Sequence, residues 1–339
     1  MSAIGFVAIG RNEGERLKLC LRSLCSESPR VVFVDSGSTD GSAEFARSLG
    51  VEVLALDTAR AFTMARARNS GWKWLLEKWP ETQLVHFVDG DCELVGGWVD
   101  AAAEFLESHP QVAAVCGRRR ERFPEKSVFN RLCETEWNTP VGETKSCGGD
   151  SLIRRSALEQ SGGYNESLIA GEEPELCLRL RRAGWKIWRL DHDMTRHDAN
   201  ILRWSQWWRR NVRGGYGAAD VAARTAADPA PGEVLFGGQV TSAKRWARGI
   251  ACALALAMVA SIAGFCWVGT AIAIAAFGVI VLQMARVARG ARRRCPDWRS
   301  AMEYGALTVL AKLPQFLGIR KYERDRRKNR EAKLIEYKS

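Results

Sequence analysis

The first ninety residues alternate between strand-length apolar runs and helix-length amphipathic ones, with short joins. The runs "IGFVAI", "RVVFVD", "VEVLAL" and "LVHFVD" are separated by "GERLKLCLRSLC", "GSAEFARSLG" and "TMARARNSGWKWLLEKW". Leu17, Leu21 and Leu24 fall on one face of the first amphipathic stretch. Gly50 stops the second, and the third ends before Pro80. This pattern predicts an α/β fold, with a mainly parallel sheet covered by helices on both faces. Such sheets bind ligands at the carboxyl ends of their strands. Asp35, Asp89 and Asp91 stand at those ends.

Two aspartates flank one glycine in "HFVDGDCEL". Paired carboxylates two residues apart can hold one hard divalent cation, leaving room for water and phosphate. The same residues also suit a turn in which Gly90 supplies a positive φ. The matching acidic strand end at Asp35 favours the ligand reading. No GxGxxG and no GxxxxGK[ST] occurs, so dinucleotide and P-loop sites lose support.

Charge narrows the class further. The chain of 339 residues carries a formal net charge of +11. From Arg286 onward there are 16 Lys/Arg against 6 Asp/Glu, so the preceding residues are close to neutral. This is a neutral body with a basic tail, not a basic body shaped to wrap nucleic acid. The ten cysteines form no CxxC pair and no zinc-like spacing, which points to free thiols in a reducing compartment. The opening "MSAIGFVAIGRNEGE" reads as a first strand, not as a signal peptide.

Five blocks then occur in order: "AIGRNEGERL", "VVFVDSGSTDGS", "FVDGDCEL", "GGDSLIRRSAL" and "AGEEPELCLRLRRAGW". Together, over about residues 1 to 200, they resemble the family-2 glycosyltransferases, which have the Rossmann-like GT-A fold. That resemblance implies inverting transfer of a sugar from a nucleotide-sugar, helped by Mg or Mn. It implies nucleotide-sugar contacts from Asn12, Glu13 and Asp35, with Gly149 and Asp150 near the donor sugar. Asp91 becomes the direct metal ligand, and Asp89 faces ribose and metal together. Arg66, Arg68 and Asn69 are candidate donor-site groups on the preceding helix, or else a solvated face.

An inverting transfer needs a base for the acceptor hydroxyl. A carboxylate at a helix N-terminus is held ionised for that task. Pro174 suits a first helical position, which would put Glu173 at the cap. The family motif is usually Glu-Asp with Asp as the base. Here the second position is Glu173, which leaves the choice between Glu173 and Glu172 open. His197 is a candidate third metal ligand, since imidazole accepts Mn.

No charged residue occurs from Gly249 to Ala285. One straight helix of that length would span about 55 Å, too long for a hydrocarbon core of about 30 Å. The expectation is two short membrane helices, at about 250–266 and 269–285, broken near Gly264 and Gly269. Arginines on both sides keep both ends cytoplasmic. The domain plan is then a GT-A domain at 1–217, a linker at 218–248, a membrane hairpin at 249–285, and a basic amphipathic tail at 286–339 beside anionic lipid. Trp204, Trp207, Trp208, Arg209 and Arg210 suggest a helix facing membrane or acceptor.

The expected protein works at the cytoplasmic face of the inner membrane. It moves a sugar to a lipid-linked acceptor in surface polysaccharide or glycolipid assembly, with no nucleic-acid partner. A polyprenyl-phosphate glycosyltransferase and a non-catalytic nucleotide-sugar binder are the alternatives.

Overall fold

The computed structural model describes residues 3–228, 233–330 and 335–336. Parts of the expected linker and tail, at 229–232, 331–334 and 337–339, lie outside the described residues. The chain forms two compact units. One takes the chain up to Pro124 together with Glu136–Asn200; the other takes Glu125–Thr135 and the described chain from Ile201 onward.

The first unit is built on a sheet. In chain order its elements are β1 (Ile4–Gly10), α1 (Glu15–Glu27), β2 (Val31–Asp35), α2 (Ser42–Ser48), β3 (Glu52–Ala55), α3 (Met64–Lys78), β4 (Leu84–Asp89) and β5 (Cys92–Leu94). Next come α4 (Trp98–Ser108) and β6 (Val112–Glu121), and then α5 (Val128–Trp137), which begins in the other unit. β7 (Gly142–Thr144), β8 (Ser151–Arg154), α6 (Arg155–Ser161), α7 (Glu172–Arg182) and β9 (Lys186–His197) complete it.

The strand order is β3-β2-β1-β4-β8-β6-β9-β5, with β7 also paired to β9. The expected parallel pairing holds across β3, β2, β1 and β4. Beyond β4 the sheet is mixed: β8 runs antiparallel to β4 and β6, whereas β6 and β9 pair in parallel. β1, β2 and β4 are buried on both faces, as their continuous apolar runs require. α1 buries Leu17, Cys20, Leu21 and Leu24 against them, the face its spacing marks out.

One local expectation shifts. α7 begins at Glu172, with Gly171 as its N-cap in the left-handed region at φ 85°. Pro174 is therefore third in the helix and not first. It is tolerated there because the first four N–H groups of a helix have no intrahelical acceptor anyway. Both Glu172 and Glu173 lie inside the first turn.

The second unit is helical. It contains α8 (Trp204–Ala227), α9 (Gly237–Ile262), α10 (Cys266–Ala291), α11 (Trp298–Leu310) and α12 (Lys312–Arg327). The expected linker at 218–248 is mostly helix. "GAADVAARTAA" extends α8 to Ala227 because alanine is the best helix former, and Pro229 follows its C-cap in sequence.

The expected apolar helices are long, not short: α9 and α10 each have 26 residues, enough to cross a membrane by length and composition. The break between them is the turn at Gly264, with φ 87°. Gly269 lies inside α10, where a Cβ would meet the Ala257 carbonyl oxygen of α9 at 2.6 Å. It is therefore a close-packing position and not a break. In α8, Trp207 is buried against Phe129, whereas Trp204 is 57 % exposed.

Candidate active site

The site lies at the carboxyl ends of β1, β2 and β4, within the first unit. The β1–α1 loop and the β2–α2 loop interlock there. Asn12 adopts a left-handed φ of 54°, donates its N–H to Ser38 Oγ and accepts the Thr39 N–H at Oδ1. Asp35 is buried and accepts the Ser38 N–H at 3.0 Å. Glu13 pairs with Arg16 at 2.8 Å. Asn12, Glu13 and Asp35 thus come to one edge of the sheet, with short loops that hold their own geometry.

Behind that edge stands a buried ionic lattice centred on Arg68, which is 1 % exposed. Its Nη2 donates to Asp89 Oδ1 and its Nη1 to Glu172 Oε1, each at 2.7 Å. Arg119 at the end of β6 donates from Nη2 to Asp89 Oδ2 at 3.2 Å and to Asp150 Oδ2 at 2.8 Å. Asp150 also accepts the Asp89 N–H and the Thr195 hydroxyl. Each buried charge therefore meets an opposite one, which is what lets such groups stay out of water. Burial works to raise the Asp89 carboxyl, but Arg68 and Arg119 outweigh it and hold it below the ordinary carboxylate range. Gly149 backs this lattice: a Cβ there would stand 2.8 Å from Arg68 Nη2 and 2.9 Å from Asp89 Oδ2.

Asp91 turns the other way. Its Oδ2 lies 3.1 Å from His197 Nε2, and both side chains are buried. The other ring nitrogen, Nδ1, faces Glu121 Oε2 at 3.5 Å. Glu121 is itself held by the N–H groups of Phe123 and Ala199. Burial pulls the His197 imidazolium down, but Asp91 and Glu121 together pull it up by more, so it titrates above its ordinary value. A carboxylate oxygen and an imidazole nitrogen converging in one buried place, with a second carboxylate behind the ring, form a donor set that suits a divalent cation such as Mn. Cys92 is the third group of that cluster, but burial raises its thiol, and it stays protonated. Asp89, expected beside Asp91 on the cation, has both oxygens on guanidiniums instead.

The two glutamates of α7 have different surroundings. Glu172 is paired to Arg68, whereas Glu173 Oε1 accepts the Cys147 N–H at 2.6 Å and the Cys177 thiol at 3.0 Å. Two other expected donor-site groups are engaged elsewhere. Arg66 donates to the carbonyls of Asp57, Arg60 and Ala61, stapling the loop before α3. Asn69 donates to the Tyr164 carbonyl and Glu166, and accepts from the Tyr164 N–H and the Trp72 indole. Both are buried. Neither forms a solvated face, because these hydrogen bonds anchor both side chains in the fold.

Arg119, Glu121 and Trp137 join the site without a signal in the sequence. Trp137 packs edge-on to His197, with centroids 4.6 Å apart, and lies under the Arg119 guanidinium. No spacing singles them out. Arg119 is one of three consecutive arginines, and only strand alternation turns it inward.

Known proteins share this architecture. Residues 7–161 match the profile described as Glycosyl transferase family 2. The succinoglycan biosynthesis protein ExoA of Rhizobium meliloti (strain 1021) is 28 % identical over 187 residues, covering 50 % of this chain and 54 % of that one. A beta-monoglucosyldiacylglycerol synthase of Nostoc sp. (strain PCC 7120) is 22 % identical over 231 residues, covering 63 % and 49 %. The chain thus spans about half the length of these relatives. Among solved structures, the mannosyltransferase PcManGT from Pyrobaculum calidifontis, in complex with GDP-Man and Mn2+, superposes with a TM-score of 0.55 at 18 % identity, over 93 % of this chain and 86 % of that one. The likeness is one of fold, and the fold is GT-A.

Proposed function

We propose, from the premise that this chain carries a family-2 glycosyltransferase domain over residues 7–161, that it transfers a sugar from a nucleotide-sugar to a lipid-linked acceptor, with inversion, in surface polysaccharide or glycolipid assembly. The observation that carries this reading is the Arg68 bridge. One guanidinium ties Asp89, at the end of β4, to Glu172, in the first turn of α7. The acidic strand end and the first turn of α7, which carries both candidate glutamates, therefore belong to one site.

The roles follow from the surroundings. Asn12, Glu13 and Asp35 line the edge for base and ribose. Asp91 and His197 would hold the divalent cation, which neutralises charge on the leaving diphosphate when bound. Glu172 is neutralised by Arg68, and it holds Arg68 and Asp89 in place. Glu173 accepts from the Cys147 amide and the Cys177 thiol, and its carboxylate sits at a helix N-terminus, as a general base requires.

The lipid acceptor rests on α9 and α10. Helices this apolar, with side chains such as Leu254, Ile262, Trp267, Phe277 and Leu282 exposed, would sit in a bilayer and hold the protein at the cytoplasmic face. The names of relatives in glycolipid and polysaccharide synthesis agree with an acceptor of that kind. The test is a panel of nucleotide-sugars with the full chain in liposomes, with lipid-linked and water-soluble acceptors compared. Transfer to lipid acceptors, with the anomeric configuration inverted, is expected. Equal transfer to soluble sugars would remove the lipid reading, and a retained configuration would remove Glu173 as base. Product formed on polyprenyl phosphate itself would select the alternative acceptor.

A further inference from the structure

Two thiols meet the candidate base. Cys147, in the loop between β7 and β8, and Cys177, on the second turn of α7, bring their Sγ atoms to 3.6 Å of each other. Cys177 Sγ is 3.0 Å from Glu173 Oε1. The three ligand atoms all lie within 4.8 Å of one another, and all three residues are buried. This group is separate from Asp91 and His197, and the transfer reaction proposed above does not use the sulfurs.

The spacing suits a metal better than a disulfide. Two sulfurs bound to one tetrahedral zinc, each at about 2.3 Å, stand about 3.8 Å apart. The observed separation matches that edge almost without movement, whereas a disulfide would need the sulfurs to close to about 2.05 Å. The carboxylate oxygen supplies a third corner.

We propose that Cys147, Cys177 and Glu173 form a binding site for a thiophilic divalent cation of the zinc and cadmium class, and that its occupation takes Glu173 away from catalysis. The second half rests on the reading of Glu173 as base. Binding converts two neutral thiols to thiolates and releases two protons to solvent, so the cation meets two thiolates and one carboxylate. Both thiols are raised: Cys177 by its hydrogen bond with Cys147 and by burial; for Cys147 the hydrogen bond with Cys177 works downward, but burial and the Glu173 charge together outweigh it. The cation must displace those protons, so affinity rises with pH. A hard cation such as Mg prefers oxygen ligands and would leave the pair alone.

The experiment is a Cd2+ titration of the full chain in detergent, without donor, followed by thiolate-to-cadmium absorbance in the ultraviolet. The expected result is a thiolate band that saturates at one equivalent with the intensity of two thiolates, whether or not Asp91 and His197 also take a cation, and that is unchanged in His197→Ala and in Cys25→Ser. Cys147→Ser and Cys177→Ser should each weaken binding roughly tenfold or more, and the double variant should lose the band. A measurement on the unaltered protein guards against misfolding: Zn2+ should protect Cys147 and Cys177 from slow alkylation, mapped by mass spectrometry. The same band in the double variant, no protection of these two thiols, or a Cys147–Cys177 disulfide in place of binding would each overturn the site. Turnover should fall as Zn2+ fills the site and should resist Zn2+ in the double variant. If the site fills and turnover is unchanged, the cation site stands and Glu173 is not the base.

Discussion

Arg68 Nη1 lies 2.7 Å from Glu172 Oε1, so the first of two adjacent glutamates is spent on a buried ion pair. The second, Glu173, meets an amide and a thiol instead. One residue of sequence therefore separates a group that holds the site from a group free to act in it.

The two carboxylates should separate in kinetics. Glu173→Gln keeps the acceptor oxygen for Cys147 but cannot take a proton. We expect a fall of about 10²- to 10⁴-fold in kcat, with donor affinity kept. Glu172→Gln should leave the chemistry possible but loosen Arg68, lowering stability by about 2 kcal/mol and weakening donor binding. Titration calorimetry with the nucleotide and steady-state kinetics distinguish the two. A dead Glu172→Gln beside an active Glu173→Gln would reverse the assignment.

Turnover should need a divalent cation held by Asp91 and His197. Chelation should abolish activity, and Mn or Mg should restore it. Asp91→Ala should remain inactive at any cation concentration. His197→Ala should respond only at higher concentrations, by about 10- to 100-fold, because one ligand is lost. Glu121→Gln, which alters the group behind the ring, should shift that dependence in the same direction by less. Full activity of Asp91→Ala in EDTA would exclude the metal reading.

Arg66 and Asn69 should behave as structural residues. Asn69→Ala strands the Tyr164 amide, the Tyr164 carbonyl and the Trp72 indole, all buried. A loss of about 2 to 3 kcal/mol in unfolding free energy is expected, with KM for the donor nearly unchanged in the folded fraction. Chemical denaturation alongside KM measurement checks this. A large rise in KM without loss of stability would return Asn69 to the donor site.

Acid should destabilise the first unit through His86. Its ring is fully buried on β4, with Nδ1 at the Phe87 carbonyl and Nε2 accepting the Trp98 indole N–H at 2.7 Å. Burial pushes its pKa down to about 4, against the opposing pull of Asp150. The unfolded chain binds the proton nearer to pH 6.5, so it gains protons first as the pH falls. This contribution to stability is whole above about pH 6.5 and declines toward pH 4, by up to about 3 kcal/mol. His86→Gln, which can still accept from Trp98, should flatten that limb of the stability profile. An unchanged acid limb would mean that His86 is not its source.

Much was legible in one dimension, because the signals were local. A continuous apolar run must be a strand buried on both faces, and the Leu17, Leu21 and Leu24 spacing must turn one helix face inward. The charge-free stretch announced apolar helix with a break near Gly264, though not the length of either helix. The order of strands and their acidic ends therefore announced the sheet edge where Asn12, Glu13, Asp35, Asp89 and Asp91 stand. Partnership was not legible, because it depends on distances between residues far apart in the chain. Arg68 and Arg66 are two positions apart on one helix, yet one reaches two carboxylates and the other three carbonyls. Asp89 and Asp91 are likewise two apart, yet one faces guanidiniums and the other an imidazole more than a hundred residues away. Those assignments were made only when the sheet brought β4, β6, β8 and β9 side by side, since a buried charge settles on whichever opposite charge packing delivers to it.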